Sequence, residues 1–243
     1  GLDNFLYVFT DRNMLISFRN NLLWLALGTG LAVAMGLIVA LLTDRSKMER
    51  LGKALIFLPM AISFVGAGII WKFVYAYKPA GMEQIGVLNA IVTGLGGDPV
   101  GWITIRPWNT IFLIIIFVWL QTGFAMVVFS AAIKGVPHEL LEAARIDGAT
   151  EIRIIFSVII PFIRGTIVTI STTILLLTLK IFDIVYAMTN GLYGTEVLAS
   201  QQYKQMFKFL HYGRGSAIAL VILVAVIPVI WYNLRQFGKR EVF

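Results

Sequence analysis

Cysteine is absent from this sequence, and histidine occurs only twice, at His138 and His211. Without cysteine there is no disulfide framework and no thiolate metal site. Neither histidine is spaced with other ligand types as a metal site requires. Charge is scarce as well: Asp, Glu, Lys and Arg make up 14% of the 243 residues, against the roughly 25% of a soluble domain. Catalytic signatures are missing too. There is no Gly-x-Ser-x-Gly turn to present a nucleophilic serine. Nor is there a Gly-x4-Gly-Lys-Ser/Thr phosphate loop, because Gly52-Lys53 and Gly238-Lys239 lack the upstream glycine and the following hydroxyl. The chain cannot hydrolyse a nucleotide by that route. An intramembrane enzyme would need polar groups clustered at mid-bilayer, and only Lys180 and Asp183 are charged there.

What the sequence has in abundance is apolar length. It is 58% hydrophobic with a mean hydropathy of +0.84, and several uncharged runs exceed the ~18 residues of a transmembrane helix candidate. The expected fold is an all-α polytopic membrane protein with five transmembrane helices, over residues 22–42, 54–75, 107–133, 164–188 and 215–234. Pro59, Gly66 and Gly68 permit kinks or close packing in the second span. Pro107 opens the third. Residues 1–20 read as an extracytoplasmic lead-in, and residues 21–243 as the membrane domain. The chain starts at Gly1, on a polar amphipathic stretch with no visible signal peptide, so a segment upstream is expected.

The net charge of +7 comes mainly from basic residues at span ends. Topology-setting charge explains that better than nucleic acid does. One set of loops carries Arg45, Lys47, Arg50, Lys53, Lys134, Arg145, Arg153, Arg164, Arg235, Lys239 and Arg240; the other set is poorer. The richer set should be cytoplasmic. This places Gly1 outside and the C-terminus inside.

The longest polar segment between two spans covers residues 134–163. Pro137 suits the first turn of a helix, and Glu139, Leu140, Leu141, Glu142, Ala143 and Ala144 are good helix formers. Gly148 offers the left-handed turn that ends it. A second helix follows, with Ile152, Ile155, Phe156 and Ile159 at apolar helical spacing. Two short helices bent at a glycine, outside the bilayer, make a part for another protein to hold.

Glu142-Ala143-Ala144, Gly148 after three residues, then Val158-x-Ile160-Pro161 after nine more resembles the EAA loop of ABC-type import permeases. The lead-in Gly1-Leu-Asp-Asn-Phe, the Phe57-Leu-Pro run, Thr189-Asn190-Gly191 and the stretch from Tyr203 to Phe207 resemble the maltose-type carbohydrate permeases. Phe57-Leu-Pro-Met-Ala-Ile-Ser-Phe and Tyr75-Ala-Tyr-Lys-Pro-Ala-Gly are similar to the alpha-glucoside branch. One departure is Gly191-Leu192-Tyr193 where that family has Gly-Gly-Pro after Thr189-Asn190.

The resemblance implies an ABC type I importer permease fold with a further helix ahead of Gly1. It implies a bacterial cytoplasmic (inner) membrane location. It also implies a second homologous permease, an ABC ATPase dimer and an extracytoplasmic sugar-binding protein as partners. This chain would bind no cofactor; ATP and Mg would sit on the ATPase subunits. Glu142, Ala143, Ala144, Asp147 and Gly148 would couple to that ATPase, with Glu142 paired to a basic residue there. Alignment with permeases that hold sugar in the membrane also implies a substrate pathway. It runs along Phe117, Trp119, Leu120, Gln121 and Phe124 of the third span, and along Ile174, Leu177, Thr178 and Ile181 of the fourth. Within each stripe, Trp119 apart, the spacing puts the residues on one helix face. Aromatic rings pack on pyranose faces while Gln121 and Thr178 hydrogen-bond hydroxyls; simple helix packing is the competing reading of the same stripes. Lys180 and Asp183, one turn apart, are expected to pair or to face a partner subunit. A self-contained carrier or channel for a small polar solute is the alternative class. It would need intramembrane carboxylates or histidines, of which only Asp183 is offered.

Overall fold

The computed structural model describes residues 1–238, with side chains described as far as Trp231. Lys239 and Arg240, part of the basic tail used to place the C-terminus, lie outside the described residues, as does the side chain of Arg235. Among the described residues every regular element is helical.

The chain opens with α1 (Asp3–Thr10) and turns at Asp11. The Asp11 carboxylate caps the next helix, accepting from the amides of Asn13 and Met14. That helix, α2 (Arg12–Thr43), is continuous through a π turn at Trp24–Gly28. The polar residues 12–20, expected ahead of the first span, therefore share a helix with it. Leu31, Met35, Ile38 and Leu42 stay exposed at spacings of four, three and four. This is the apolar stripe of a helix that faces lipid or another chain.

The second span is broken in two. The expected span starts at residue 54, inside α3 (Glu49–Ala61), which tightens into a 3-10 turn around Pro59. Its second part, α4 (Phe64–Val74), starts afresh under a Ser63 cap that accepts from the Gly66 amide at 3.0 Å. The glycine-rich stretch that follows is not a bare loop. It contains α5 (Val87–Gly94), pinned by fully buried Asn89, whose amide bonds the Ala76 and Val100 carbonyls while its oxygen accepts from the Val100 N–H. A cis Arg106–Pro107 peptide leads into α6 (Asn109–Lys134), so the third span begins just beyond Pro107. At ~1.5 Å per residue the 26 residues of α6 exceed the thickness of a bilayer core.

Beyond α6 come α7 (His138–Ile146) and α8 (Glu151–Phe162). A 72° bend at Ile163 separates α8 from α9 (Arg164–Leu179). The fourth span was expected to run unbroken to residue 188; instead α9 stops at Leu179, and α10 (Asp183–Met188) starts anew. Then α11 (Leu198–Tyr203) runs through a π turn to Lys208, and α12 (Tyr212–Gly238) closes the described chain. Among the described residues three helices are long and apolar enough to cross a membrane, or up to five if each bent pair is one span.

The chain forms two compact units. Unit 1 contains residues 1–28, 62–117 and 176 onward; unit 2 contains residues 29–61 and 118–175. In unit 1, Val8 and Met14 pack with Leu198, Ala217 and Ile218, and α4 approaches α10 so closely that a Cβ on Gly68 would meet the Ala187 Cβ at 3.0 Å. In unit 2, close packing relies on missing side chains. A Cβ on Gly123 of α6 would lie 2.5 Å from the Ile56 carbonyl of α3, and one on Gly36 would lie 2.3 Å from the Ala125 Cβ. Backbones can meet this closely only at glycine, the general device of membrane helix packing.

Candidate functional site

The bent loop of unit 2 is built by its own backbone. After α7 the Gly148 amide bonds the Arg145 carbonyl and the Ala149 amide reaches back to Ala144, both at 3.0 Å. That pair of bonds closes a Schellman turn, with Gly148 at φ +78° in the left-handed position. The spacing therefore gives the turn that the sequence predicts. Pro137 stands one place earlier than expected, as the residue preceding α7 rather than its first helical residue. Thr150 then caps α8 by accepting from the Arg153 amide.

The predicted coupling residues are presented outward. Glu142, Ala143, Asp147 and Gly148 are exposed, and Ala144 is half-buried. Among the described residues Glu142 has no ion-pair partner. Beside them, Ile146 is 85% exposed, and Ile152 and Phe156 are each about two-thirds exposed. The apolar face of α8 differs from the expected one. A π turn at Ile155–Ile159 inserts an extra residue, so Ile154, Ile159 and Ile163 turn inward while Ile152 and Phe156 turn out. These uncovered apolar side chains form a surface that another chain or lipid can cover.

Beneath the loop lies an ionic lattice that the sequence did not disclose. Lys53 of α3 bridges Asp44 at 2.5 Å and Glu49 at 2.6 Å, and also bonds the Ser130 hydroxyl of α6. Ser130 in turn donates to Asp44 at 2.6 Å. Lys134 holds Glu49 as well, and the two lysines together pull the Glu49 carboxyl down to about 2. Glu151, at the start of α8, accepts from Arg45 at 2.8 Å and Arg145 at 3.0 Å. Arg145 first, then Arg45, keeps its carboxyl below the usual carboxylate range. Arg145 is thus a local salt-bridge partner. The clue in the sequence was the basic cluster at 45–53, which served there only to set topology.

The two pathway stripes fall in both units. In unit 1, Phe117, Thr178 and Ile181 are buried, with Phe117 stacked on Phe64 and edge-on to Trp24. Gly28 leaves room for Thr178: a Cβ there would meet the Thr178 methyl at 3.2 Å. In unit 2, Leu120 and Gln121 are buried, while Trp119 and Phe124 are half-buried. Gln121 is 7% exposed, and its carboxamide has no hydrogen-bond partner among the described residues. Its polar atoms are not sealed from solvent, so the carboxamide is open to water or a ligand.

Lys180 and Asp183 do not form the expected helical pair. The helix breaks between them, Lys180 is exposed, and no ion pair joins them. The break has a remote cause. Asn21 of α2 donates to the Leu179 carbonyl at 3.1 Å and accepts from the Leu198 amide at 2.9 Å, satisfying the ends of two helices at once. Its neighbour Asn20 donates to the Gly194 and Glu196 carbonyls at 2.7 and 2.8 Å. Two consecutive asparagines leading into an apolar run were the available signal.

Comparison with known proteins agrees with this architecture. The chain is 56% identical to the osmoprotective compounds uptake permease protein GgtC of Synechocystis sp., over 99% of this chain and 86% of that protein. It is 51% identical to the alpha-glucoside transport system permease protein AglF of Rhizobium meliloti, over 99% of this chain and 72% of that one. Its fold matches a crystal structure of a bacterial ABC transporter involved in the import of the acidic polysaccharide alginate. The TM-score is 0.84 at 23% identity, covering 100% of this chain and 84% of that chain. Residues 32–237 match a family of transport permeases, and the chain belongs to it: the binding-protein-dependent transport system inner membrane components.

Proposed function

We propose that this chain is one of two homologous permease subunits of an ATP-driven importer for an α-glucoside or related glycoside. An ATPase dimer would engage the loop at 134–163, and an extracytoplasmic sugar-binding protein would deliver the substrate. The observation that carries the reading is the preformed turn at Gly148. It presents an unpaired Glu142, the small Ala143 and the uncovered Ile146 on one loop. Such a loop fits a groove on a partner, with Glu142 paired to a basic side chain there. Truncating one member of a buried interfacial charge pair costs about 2–5 kcal/mol. ATP and Mg on the partner subunits supply the energy. The 51% identity to AglF and 56% to GgtC support a glucoside or a glucosylated compatible solute as cargo. Asp147 would stand at the rim of the docking loop. The charge asymmetry of the loops supports a cytoplasmic C-terminus.

Gln121 is assigned to hydrogen-bonding the substrate, and Phe117, Trp119, Leu120, Phe124, Thr178 and Ile181 to lining its path. Because Phe117, Thr178 and Ile181 are buried in this state, they meet sugar only in a state that opens them. The complex, reconstituted in liposomes, should take up labelled sucrose, maltose or trehalose only with ATP and the binding protein. Sugar movement by this chain alone would overturn the reading. Gln121→Ala should lower uptake with assembly intact; unchanged uptake kinetics would remove Gln121 from the pathway.

A further inference from the structure

Unit 1 contains a cavity of about 370 Å³ that none of the pathway residues lines. Asn13, Arg106, Tyr193, Glu196, Gln201 and Phe209 are among the residues around it. That volume lies within the range of about 300–1,000 Å³ that small-ligand sites occupy. One wall is a turn with unusual backbone: Asn190, Gly191, Tyr193 and Gly194 all have φ between +50° and +79°. For Tyr193 this conformation is strained, and its carbonyl is held by two donors, Arg106 Nε at 2.7 Å and Asn109 Nδ2 at 2.9 Å. This is the segment where the sequence reads Gly-Leu-Tyr in place of Gly-Gly-Pro. Lys204 ties its far side, bonding the Asn190 carbonyl at 2.7 Å and the Glu196 carboxylate at 2.5 Å.

What remains after that scaffolding is a set of unused polar atoms. Gln201 is 6% exposed, and its carboxamide has no hydrogen-bond partner among the described residues. Glu196 Oε1 is buried without a partner. Arg106 uses only Nε, and the Asn13 side-chain carboxamide makes no bond. The cavity thus offers a donor fork, a lone acceptor and two carboxamides that do both. Aromatic rings from Tyr193 and Phe209 stand beside them. An anionic ligand would meet the unpartnered Glu196 oxygen; a cationic one would meet Arg106. A hydroxyl both donates and accepts, and so uses all four groups.

We propose that this cavity is a second sugar site: a neutral polyhydroxylated ring, such as a glucosyl unit, binds there through Gln201, Glu196, Arg106 and Asn13. The lining belongs to the loop set assigned to the extracytoplasmic side, so the site receives sugar before the membrane stripes do. The inference rests on the glycoside reading above.

Saturation-transfer NMR on the assembled transporter in nanodiscs, without the binding protein, tests it with sucrose, maltose and trehalose as probes. The sugar that the same preparation transports should receive saturation on its ring protons. Gln201→Leu should weaken that binding about fivefold, the loss of one hydrogen bond. Asn13→Ala, at an exposed position with no bond to lose, should weaken it in the same direction without any effect on folding. Signals unchanged in both variants, or no transfer from a sugar that is transported, would leave a water-filled crevice and sink the site alone. Stronger competition by glucuronate than by the neutral sugars would overturn the ligand class. If none of the three sugars is transported, the glycoside reading fails and this site falls with it.

Discussion

The bent loop of unit 2 and the turn region of unit 1 solve the same problem with different chemistry. Each must hold non-helical backbone in place beside apolar helices. Unit 2 does so with charge: Asp44, Glu49, Lys53 and Lys134 form one ionic group, and Arg45, Arg145 and Glu151 form another. Unit 1 relies mostly on neutral amides: Asn20, Asn21 and Asn109 bond backbone carbonyls far away in sequence, and Asn89 bonds nearer ones. Ion pairs near water are weakened by salt and by acid. Amide-to-carbonyl bonds in a buried site are indifferent to both. The contrast is one of sensitivity: the ionic groups of unit 2 respond to salt and pH, and the amides of unit 1 do not.

The largest effect should come from Asn21→Ala. It leaves the Leu179 carbonyl and the Leu198 amide unpaired, at about 1–3 kcal/mol for each buried group. Thermal melting of the purified complex should fall by the same amount at low and high salt. A salt-dependent loss would contradict the contrast. Lys53→Met should cost about 2 kcal/mol, less than the 3–5 of a fully buried pair because water still reaches the site. Its loss should shrink as salt rises. Gly148→Val forces a branched side chain into the left-handed region, at about 1–2 kcal/mol. Nothing lies within 4 Å of a Cβ there, so the penalty is conformational and not steric. It should appear as roughly tenfold weaker co-purification of the ATPase, with the membrane helices still folded; full co-purification and normal uptake would remove Gly148 from docking.

The smallest effect is a pH signature. The Glu49 carboxyl is held at about 2 by Lys134 and Lys53, well below the unperturbed value of about 4.3. Its folded-state pKa is depressed, so its contribution is complete above about 4.3 and is lost as pH falls toward about 2. Glu49→Gln should remove that part of the acid sensitivity. An unchanged acid-melting profile in this variant would show that the lattice does not stabilise the loop.

Local features were legible in the sequence, and remote ones were not. The Gly148 turn follows from a helix-forming run that meets a glycine, which needs only neighbouring residues. The apolar spans follow from hydropathy in the same way. The break after Leu179 has no local signal, because Leu179 to Ile181 look as apolar as the helix before them, Lys180 apart. It is fixed by Asn21, 158 positions away, and that contact makes Lys180 and Asp183 ends of separate helices instead of a pair. The π turn at Ile155–Ile159 was equally hidden, and it changed which isoleucines of α8 face out. At the candidate site, spacing picked out residues that the structure presents at the surface of the loop. It could not find the lattice beneath them, since Asp44 and Ser130 meet only after α2, α3 and α6 have packed.

The Schellman turn is closed entirely by the loop's own amides. In the proposed docking, an ATPase would therefore meet a preformed turn and not a segment that must first be ordered. Association then loses little chain entropy, and calorimetry should show the signature of covering Ile146, Ile152 and Phe156: a negative heat-capacity change, without the large unfavourable entropy of coupled folding.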